Sequence, residues 1–414
     1  MSRGALGLAA LPLPPGADRP PWPPPPGLTD EDFWRAVRAT YPLTRERTYL
    51  NTGGLGPAPY PVLDAVQRTM WAQQTRSETG HRLIEEARAP VARFLGADPD
   101  EIAFMRNATE GNATIASGLS LRPGDEVLFE THAHPGGAIP WLSRQKHAGI
   151  RVRTFEPDPT SAEANLQRIA DALTPRTRVL QVSHVTAPTG IRLPVPAIAR
   201  LAQERGLWFH VDGAQSAGML RVDLHALGCD SYATSGHKWM GGPHGTGLLY
   251  VRRDRLDAVM PTETGAYSDA AYTLPDHLDY RPSAQRFEPG TRDAASVVGL
   301  AEAVRFLEAI GMERAEARGQ ALAYHLREHL EQIPGVTILT PEDPALSGSI
   351  LTYRTDRVPY DALFTFLLNE YGLRCRVVTE QGLDALRVST HIFNLLDDGL
   401  RVAEATRAAL GAPH

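Results

Sequence analysis

The chain has 414 residues, 42% of them hydrophobic, and a formal net charge of −6 at pH 7, enough for two domains or one large one with a sizeable core. That charge gives no broad basic field, which argues against nucleic acid or an anionic membrane as the main partner and for a small-molecule ligand. Cys229 and Cys375 match neither a metal-binding spacing nor a disulfide framework, and no apolar run approaches the about 20 residues of a bilayer span, so a cytoplasmic protein is expected.

Residues 1–28 read as a disordered, proline-rich segment. Its short apolar run, Ala5 to Leu13 after one arginine, also fits the remnant of an export signal, and "PGADRPPWPPPPG" reads as a polyproline linker that joins no core. Folding is expected to begin near Thr29, the N-cap of a helix through "TDEDFWRAVRATYP". Residues 29–49 form a helical segment expected to pack with a small C-terminal domain.

From residue 50 to 290 the chain alternates. Short apolar runs, "EIAFMR", "DEVLFE", "IRVRTFE", "RVLQVSHV", "LWFHVD" and "GLLYVR", are separated by helical patterns such as "ATIASGL", "SAEANLQRIADAL" and "PVPAIARLAQERG". Continuously apolar strands alternating with helices predict a large α/β domain with a mostly parallel central sheet flanked by helices. "TETGAYSDAAYTLPDHLDYRPSAQ" reads as a long loop. In residues 291–414 one helical run, "AASVVGLAEAVRFLEAIGMERAEARGQALAYHLREHL", precedes the strands "VTILT", "SILTYR", "LRCRVV" and "ALRVST", with "YDALFTFLLNEYG" a helix among them, which predicts a smaller C-terminal α+β domain.

Ligands of doubly wound sheets sit beyond the carboxyl ends of the strands, so the residues there carry the chemistry. "NATEGNAT" runs straight into a helix, and free amides at such a start, with the Thr109 hydroxyl, suit a phosphate. Asp212 ends the strand "LWFHV", where a buried carboxylate needs a protonated partner; Gln215 follows in the same turn. Lys238 lies in "SGHKWMGGPHGTG", beside Ser235 and His237. Burying an ammonium is costly, which implies a task for that amine. An aldehyde cofactor connects these features: a lysine for a Schiff base, an acid for a pyridine nitrogen, and donors for a phosphate. Pyridoxal 5'-phosphate meets every demand.

"HVDGAQSAG" followed by "SGHKWMGGPHGTG" resembles the class V aminotransferase family of fold-type I pyridoxal-phosphate enzymes, over nearly the whole chain after the proline linker. "YLNTGGLGPAP", "HAHPGGAIPWL" and "RFEPGTRD" are most similar to its isopenicillin N epimerase-like branch, a relative of the cysteine desulfurases. The resemblance implies that Lys238 forms the Schiff base, Asp212 pairs with the pyridine nitrogen, Gln215 touches the phenolic oxygen, and Ser235, His237 and Thr109 hold the phosphate, with Glu110 nearby. It further implies an imidazole stacked on the cofactor, for which His132 and His134 are candidates; His134, directly before Pro-Gly-Gly, is favoured. The His-x-His spacing also suits a metal, yet no third ligand is visible and no metal is assigned. Gly290 and Thr291 resemble a segment that reaches the neighbouring subunit's phosphate, which implies a homodimer. Arg387 matches the arginine that grips a substrate α-carboxylate, and Asn51 and His184 are placed beside the substrate.

The resemblance does not fix the reaction. A cysteine desulfurase needs a nucleophilic cysteine on a loop shortly after "YGLRCRVV"; Cys375 falls too early and "VTEQGLDA" has no thiol. Epimerisation, transamination and β-elimination from an S-substituted cysteine remain. An epimerase or aminotransferase-like enzyme leads, and a C–S lyase is the alternative. A non-catalytic cofactor-binding relative is disfavoured by the presence of both Lys238 and Asp212.

Overall fold

The computed structural model describes residues 19–411. The expectations of a disordered tail and of an export-signal remnant over residues 1–18 lie outside the described residues. Within the proline-rich segment, one expectation is corrected. The Trp22 ring stacks on Phe306 with centroids 3.8 Å apart, so this stretch does reach the core, through a large flat indole that a polyproline backbone can present.

Thr29 accepts a hydrogen bond from the Asp32 amide and opens helix α1 (Asp30–Ala39), whose first turn carries three acidic residues. Trp34 and Val37 on α1 are buried in the core shared with the main sheet. Its charged face pairs Glu31 with Arg318 and Arg38 with Asp398, farther along the chain. A short strand β1 (Thr48–Tyr49) follows, then helices α2 (Tyr60–Arg76) and α3 (His81–Phe94). The sequence reading left both helices unassigned. α2 buries only Val62 and Ala65 and shows no apolar stripe, whereas α3 buries one (Ile84, Ala87, Val91 and Ala92) but has Pro90 in its interior and no side-chain N-cap, which mask it in the sequence.

The central sheet comprises β2 (Ile102–Met105), β3 (Glu126–Glu130), β4 (Arg151–Phe155), β5 (Thr177–Ser183), β6 (Trp208–Asp212), β7 (Ser231–Ser235) and β8 (Gly247–Val251). Their order is β2-β8-β7-β6-β5-β3-β4, and only β8 runs antiparallel to its neighbours. Between strands lie α4 (Ala108–Gly118), α5 (Pro135–Ala148), α6 (Ala162–Ala172), α7 (Val195–Glu204) and the short α8 (Leu224–Leu227). Alternate strand residues enter opposite faces. Leu128, Leu180, Phe209 and Val211 join one core, and Val127, Phe129, Val179 and Trp208 the other, which is why these strands read as unbroken apolar runs. The edge strand β4 exposes Arg151 and Arg153, charges that discourage further strand pairing.

The segment read as a long loop contains an antiparallel hairpin, β9 (Asp269–Thr273) and β10 (His277–Tyr280). Both strands are largely exposed, so no buried face imprints a period on their sequence. The helical run after it is two helices, α9 (Ala294–Ile310) and α10 (Met312–Glu331), parted at Gly311, whose φ of +87° a β-carbon would resist. α9 packs against α2 and α3 as part of the main core.

Beyond α10 come β11 (Val336–Ile338), β12 (Ile350–Thr355), α11 (Tyr360–Tyr371), β13 (Leu373–Arg374), β14 (Arg376–Val378), β15 (Ala385–Ser389) and α12 (Leu396–Ala409). The smaller sheet is antiparallel, ordered β11-β12-β15-β14. "LRCRVV", read as one strand, is two: Cys375 separates β13, which pairs with β1, from β14, which pairs with β15. After β1 the chain passes Asn51, bridged to Ser389, and returns to the large sheet at Gly56, whose amide donates to the His237 carbonyl at 2.8 Å.

A β-carbon on Gly56 would lie 1.8 Å from the Lys238 carbonyl oxygen, with backbone on both sides of the clash. Gly56→Ala is therefore expected to destabilise the protein by about 1–3 kcal/mol, the usual cost of overpacking. Urea denaturation would measure it, and a wild-type midpoint would contradict the close approach.

Candidate active site

The carboxyl ends of β2, β3, β6 and β7 deliver side chains to one pocket of about 270 Å³. Asn107 caps α4 by accepting from the Glu110 amide at 2.9 Å, and the next amide, that of Ala108, donates to Ser235 Oγ at 3.0 Å. These bonds fix the first turn of α4 against β7 and leave Thr109 lining the space. The start of α5 closes in from the side. A β-carbon on Gly136 would sit 2.3 Å from Thr109 Oγ1, and one on Gly137 would sit 3.0 Å from Asp212 Oδ2, so the paired glycines of "HPGG" let this backbone approach.

His134 caps α5: its Nδ1 accepts from the Gly136 amide at 3.0 Å, so in the neutral ring the proton is on Nε2. Burial, and then the Lys238 charge, hold this imidazole below its ordinary pKa. Asp212 Oδ1 accepts from the Ala214 amide at 3.0 Å and Oδ2 from Asn112 Nδ2 at 2.9 Å. Gln215 donates to the Gly53 carbonyl at 2.9 Å and accepts from Trp239 Nε1 at 2.9 Å, pinning the Gly53–Gly54 turn to the floor. His237 carries a buried Nδ1 without a partner among the described residues. Lys238 occupies the same space, and desolvation brings its amine down to about 8, against the pull of Asp212 toward the charged form.

From the smaller sheet come Arg387 and Arg376, directly paired in register on β15 and β14. Arg387 donates to the Ala187 carbonyl and to Asn51 Oδ1, both at 2.9 Å, while its buried Nε has no partner among the described residues. Burial, then the neighbouring Arg376, works against its charge. Arg376 is held by Glu380.

Lys238, Asp212, His134, Thr109, Gln215, Ser235, His237 and Arg387 thus converge. Others do not. His132 is turned away, with Nδ1 against Thr189 Oγ1 at 3.0 Å and Nε2 facing Glu156 at 3.3 Å. Glu110 folds back on Arg106 and, with Thr291, lines a neighbouring cavity of about 430 Å³; the Gly290 amide is bound to the Ala266 carbonyl at 2.8 Å. Asn51 stands behind the pocket wall with its Oδ1 on Arg387, and His184 is buried behind Asp212, its amide on the Asp212 carbonyl at 2.9 Å. The Asp98, Glu101 and His225 group that has metal-ligand spacing is elsewhere, already engaged by Arg253.

Sequence reasoning missed Asn112, Arg376 and Trp239. It also passed over a signal: Lys146 and Lys238 are the only lysines among 42 Lys and Arg residues. Arginine cannot supply a neutral amine, so the rarity of lysine marks position 238.

The chain matches the family model described as Aminotransferase class-V over residues 54–408. It is 32% identical to isopenicillin N epimerase of Streptomyces clavuligerus across 91% of this chain and 98% of that protein. It is 33% identical to probable cysteine desulfurase 2 of Mycobacterium leprae (strain TN), across 91% and 96%. The solved complex of the cystine C–S lyase C-DES with its product cysteine persulfide superposes with a TM-score of 0.81 at 26% identity, covering 89% of this chain and 99% of that one.

With two lysines, amine chemistry can be read site by site. In cofactor-free protein, acylation of Lys238 is expected to reach half its limiting rate near pH 8, whereas an ordinary lysine titrates at about 10.4. Asp212→Asn removes a carboxylate that favours the ammonium, so the midpoint should move lower. Peptide mass spectrometry after brief acylation would follow it, and a midpoint near 10 would contradict the desolvated amine.

Proposed function

The chain belongs to the class V aminotransferase family, and from that premise we propose that it uses pyridoxal phosphate to act at the α-carbon of an amino acid, as an epimerase or aminotransferase-like enzyme. The observation that carries this reading is the convergence of a desolvated lysine, a carboxylate with free acceptor capacity and an arginine in one pocket. The residues present fit the cofactor. His237 Nδ1 is a buried polar atom without a partner among the described residues, Thr109 and Ser235 add hydroxyls at a helix start, and Asp212 retains acceptor capacity after two hydrogen bonds.

When bound, the cofactor supplies an aldehyde carbon and an electron-withdrawing ring. Asp212 would hold a proton on the ring nitrogen, Ser235, His237 and Thr109 would bind the phosphate, and His134 would lie against the ring. Lys238, with a pKa of about 8, is neutral in a useful fraction near neutral pH and serves as the base that moves the Cα proton. Arg387 orients the α-carboxylate through a guanidinium fixed by Ala187 and Asn51. Epimerisation needs a second proton donor, and neutral His134, with Nε2–H, supports it. Gly290 and Thr291 lie outside this space in one protomer, which supports a homodimer in which they reach the partner's phosphate; Glu110, read as cofactor-binding, also lies outside it, paired with Arg106.

One alternative has its own support. The likeness to the cystine C–S lyase favours β-elimination, which needs Lys238 but no second acid. Persulfide formation on this chain is disfavoured: Cys375 is fully buried with its thiol pushed up to about 12, and residues 379–384, which connect β14 and β15, contain no cysteine.

A panel of L- and D-amino acids and S-substituted cysteines, followed by solvent deuterium uptake, keto-acid formation and pyruvate release, separates the readings. Deuterium uptake at Cα with inversion, or keto-acid formation, is expected; pyruvate from S-substituted cysteines without inversion would establish the lyase instead. Lys238→Ala should lower turnover by about 10²–10⁴-fold, while Cys375→Ser should leave it within about twofold.

A further inference from the structure

Behind Asp212 lies a file of buried polar groups whose protons can be assigned from both ends. Trp208 Nε1 is 3.0 Å from Ser231 Oγ, which is 2.8 Å from His210 Nδ1. His210 Nε2 is 2.8 Å from Asn112 Oδ1, and Asn112 Nδ2 is 2.9 Å from Asp212 Oδ2. His210 and Ser231 have no exposed surface.

At the Asp212 end, an ionised carboxylate only accepts. Asn112 must therefore turn its NH2 toward it, and the same nitrogen lies 3.3 Å from the Gly136 carbonyl, a second pure acceptor. Asn112 Oδ1 then faces His210, whose Nε2 must carry the proton. Burial brings His210 down to about 4, so the ring is neutral and its Nδ1 is bare. Bare Nδ1 takes the Ser231 hydroxyl proton. The remaining lone pair of Ser231 accepts from Trp208, an indole N–H that can only donate. Every side-chain bond points the same way and each of these side chains is satisfied in that arrangement; the Ser231 backbone carbonyl, which also lies beside the His210 ring, is the one competing acceptor. If Asp212 were protonated and donated to Asn112, the Asn112 amide would have to reverse and place NH2 toward Nε2. His210 would then carry its proton on Nδ1, and the Gly136 carbonyl would face an oxygen.

We propose that Asn112 and His210 are positioning residues that hold Asp212 as an ionised acceptor for the cofactor's ring nitrogen, through the one-way hydrogen-bond file Trp208, Ser231, His210, Asn112, Asp212. The inference rests on the reading of Asp212 as the ring's partner. Two donors on this buried carboxylate fix its orientation and leave its remaining lone pairs free for the ring nitrogen. The electron-withdrawing power of the ring is thus set partly by an asparagine in the middle of α4 and by a histidine on β6.

Two measurements test it. Nitrogen-15 NMR of histidine-labelled protein, with and without pyridoxal phosphate, should show His210 as the neutral Nε2–H tautomer, its signals identified by their loss in His210→Gln. An Nδ1–H tautomer, or a ring that gains a proton between pH 6 and 8, would overturn the file whatever the cofactor does. In reconstituted enzyme, Asn112→Leu and the near-isosteric Asn112→Asp should shift the cofactor's visible absorption band and slow Cα deuterium exchange by about 10–100-fold. His210→Gln keeps a donor toward Asn112 and should retain the wild-type band, and His210→Leu should not. An unshifted band in correctly folded Asn112→Leu would overturn the positioning role. Failure of Asp212 to partner the ring would instead appear as an unshifted band in Asp212→Asn, with the His210 tautomer unchanged.

Discussion

One constraint organises this protein: an amine kept out of water, with its pKa brought down to about 8, shares one pocket with a carboxylate that accepts two hydrogen bonds. Desolvation lowers the lysine, while the acid beside it is supplied with hydrogen-bond donors. The fold thus treats the two groups differently. The Lys238 amine is desolvated and faces the positive charges of Arg387 and Arg376, whereas Asp212 receives hydrogen bonds from the Ala214 amide and Asn112. A charge with such donors is stabilised where an unpartnered one is not.

The surrounding architecture serves that asymmetry. Parallel strands buried on both faces place their carboxyl ends in register, so Asp212 on β6 and Ser235 on β7 arrive together without long-range loops. Two helix starts then converge, α4 capped by Asn107 and α5 capped by His134, bringing amides and hydroxyls to one wall. The smaller sheet closes the opposite wall with Arg387. β1 and Asn51 knit the two sheets: β1 pairs with β13, Asn51 bridges to Ser389 and holds Arg387, and Gly53 is bound by Gln215.

Much of this was legible from residue order because the strands are unbroken apolar runs and the chemistry follows directly after them. Asp212, Ser235, His237 and Lys238 could be found by reading strand ends, and Thr109 by reading a helix start. What stayed hidden depends on pairing across the fold. Asn112 sits mid-helix, where nothing local distinguishes it from a surface polar residue, and its meaning comes from His210, 98 residues later. Arg376 matters because β14 places it opposite Arg387, a register no periodicity reveals. The hairpin β9–β10 and the helix α2 escaped for the converse reason: their faces are too exposed, or too weakly patterned, to mark a period; α3 has its stripe, but an internal Pro90 and an uncapped start disguise it. Trp22 shows the limit of composition as a guide, since a proline-rich stretch carried one aromatic that found a partner in Phe306.

The central claim is that the amine at position 238 carries the cofactor. Borohydride reduction of protein loaded with pyridoxal phosphate, followed by proteolysis and mass spectrometry, tests it directly. The account predicts the phosphopyridoxyl mass on the peptide containing Lys238 and none on that containing Lys146. Label on Lys146 alone, or on neither, would contradict it.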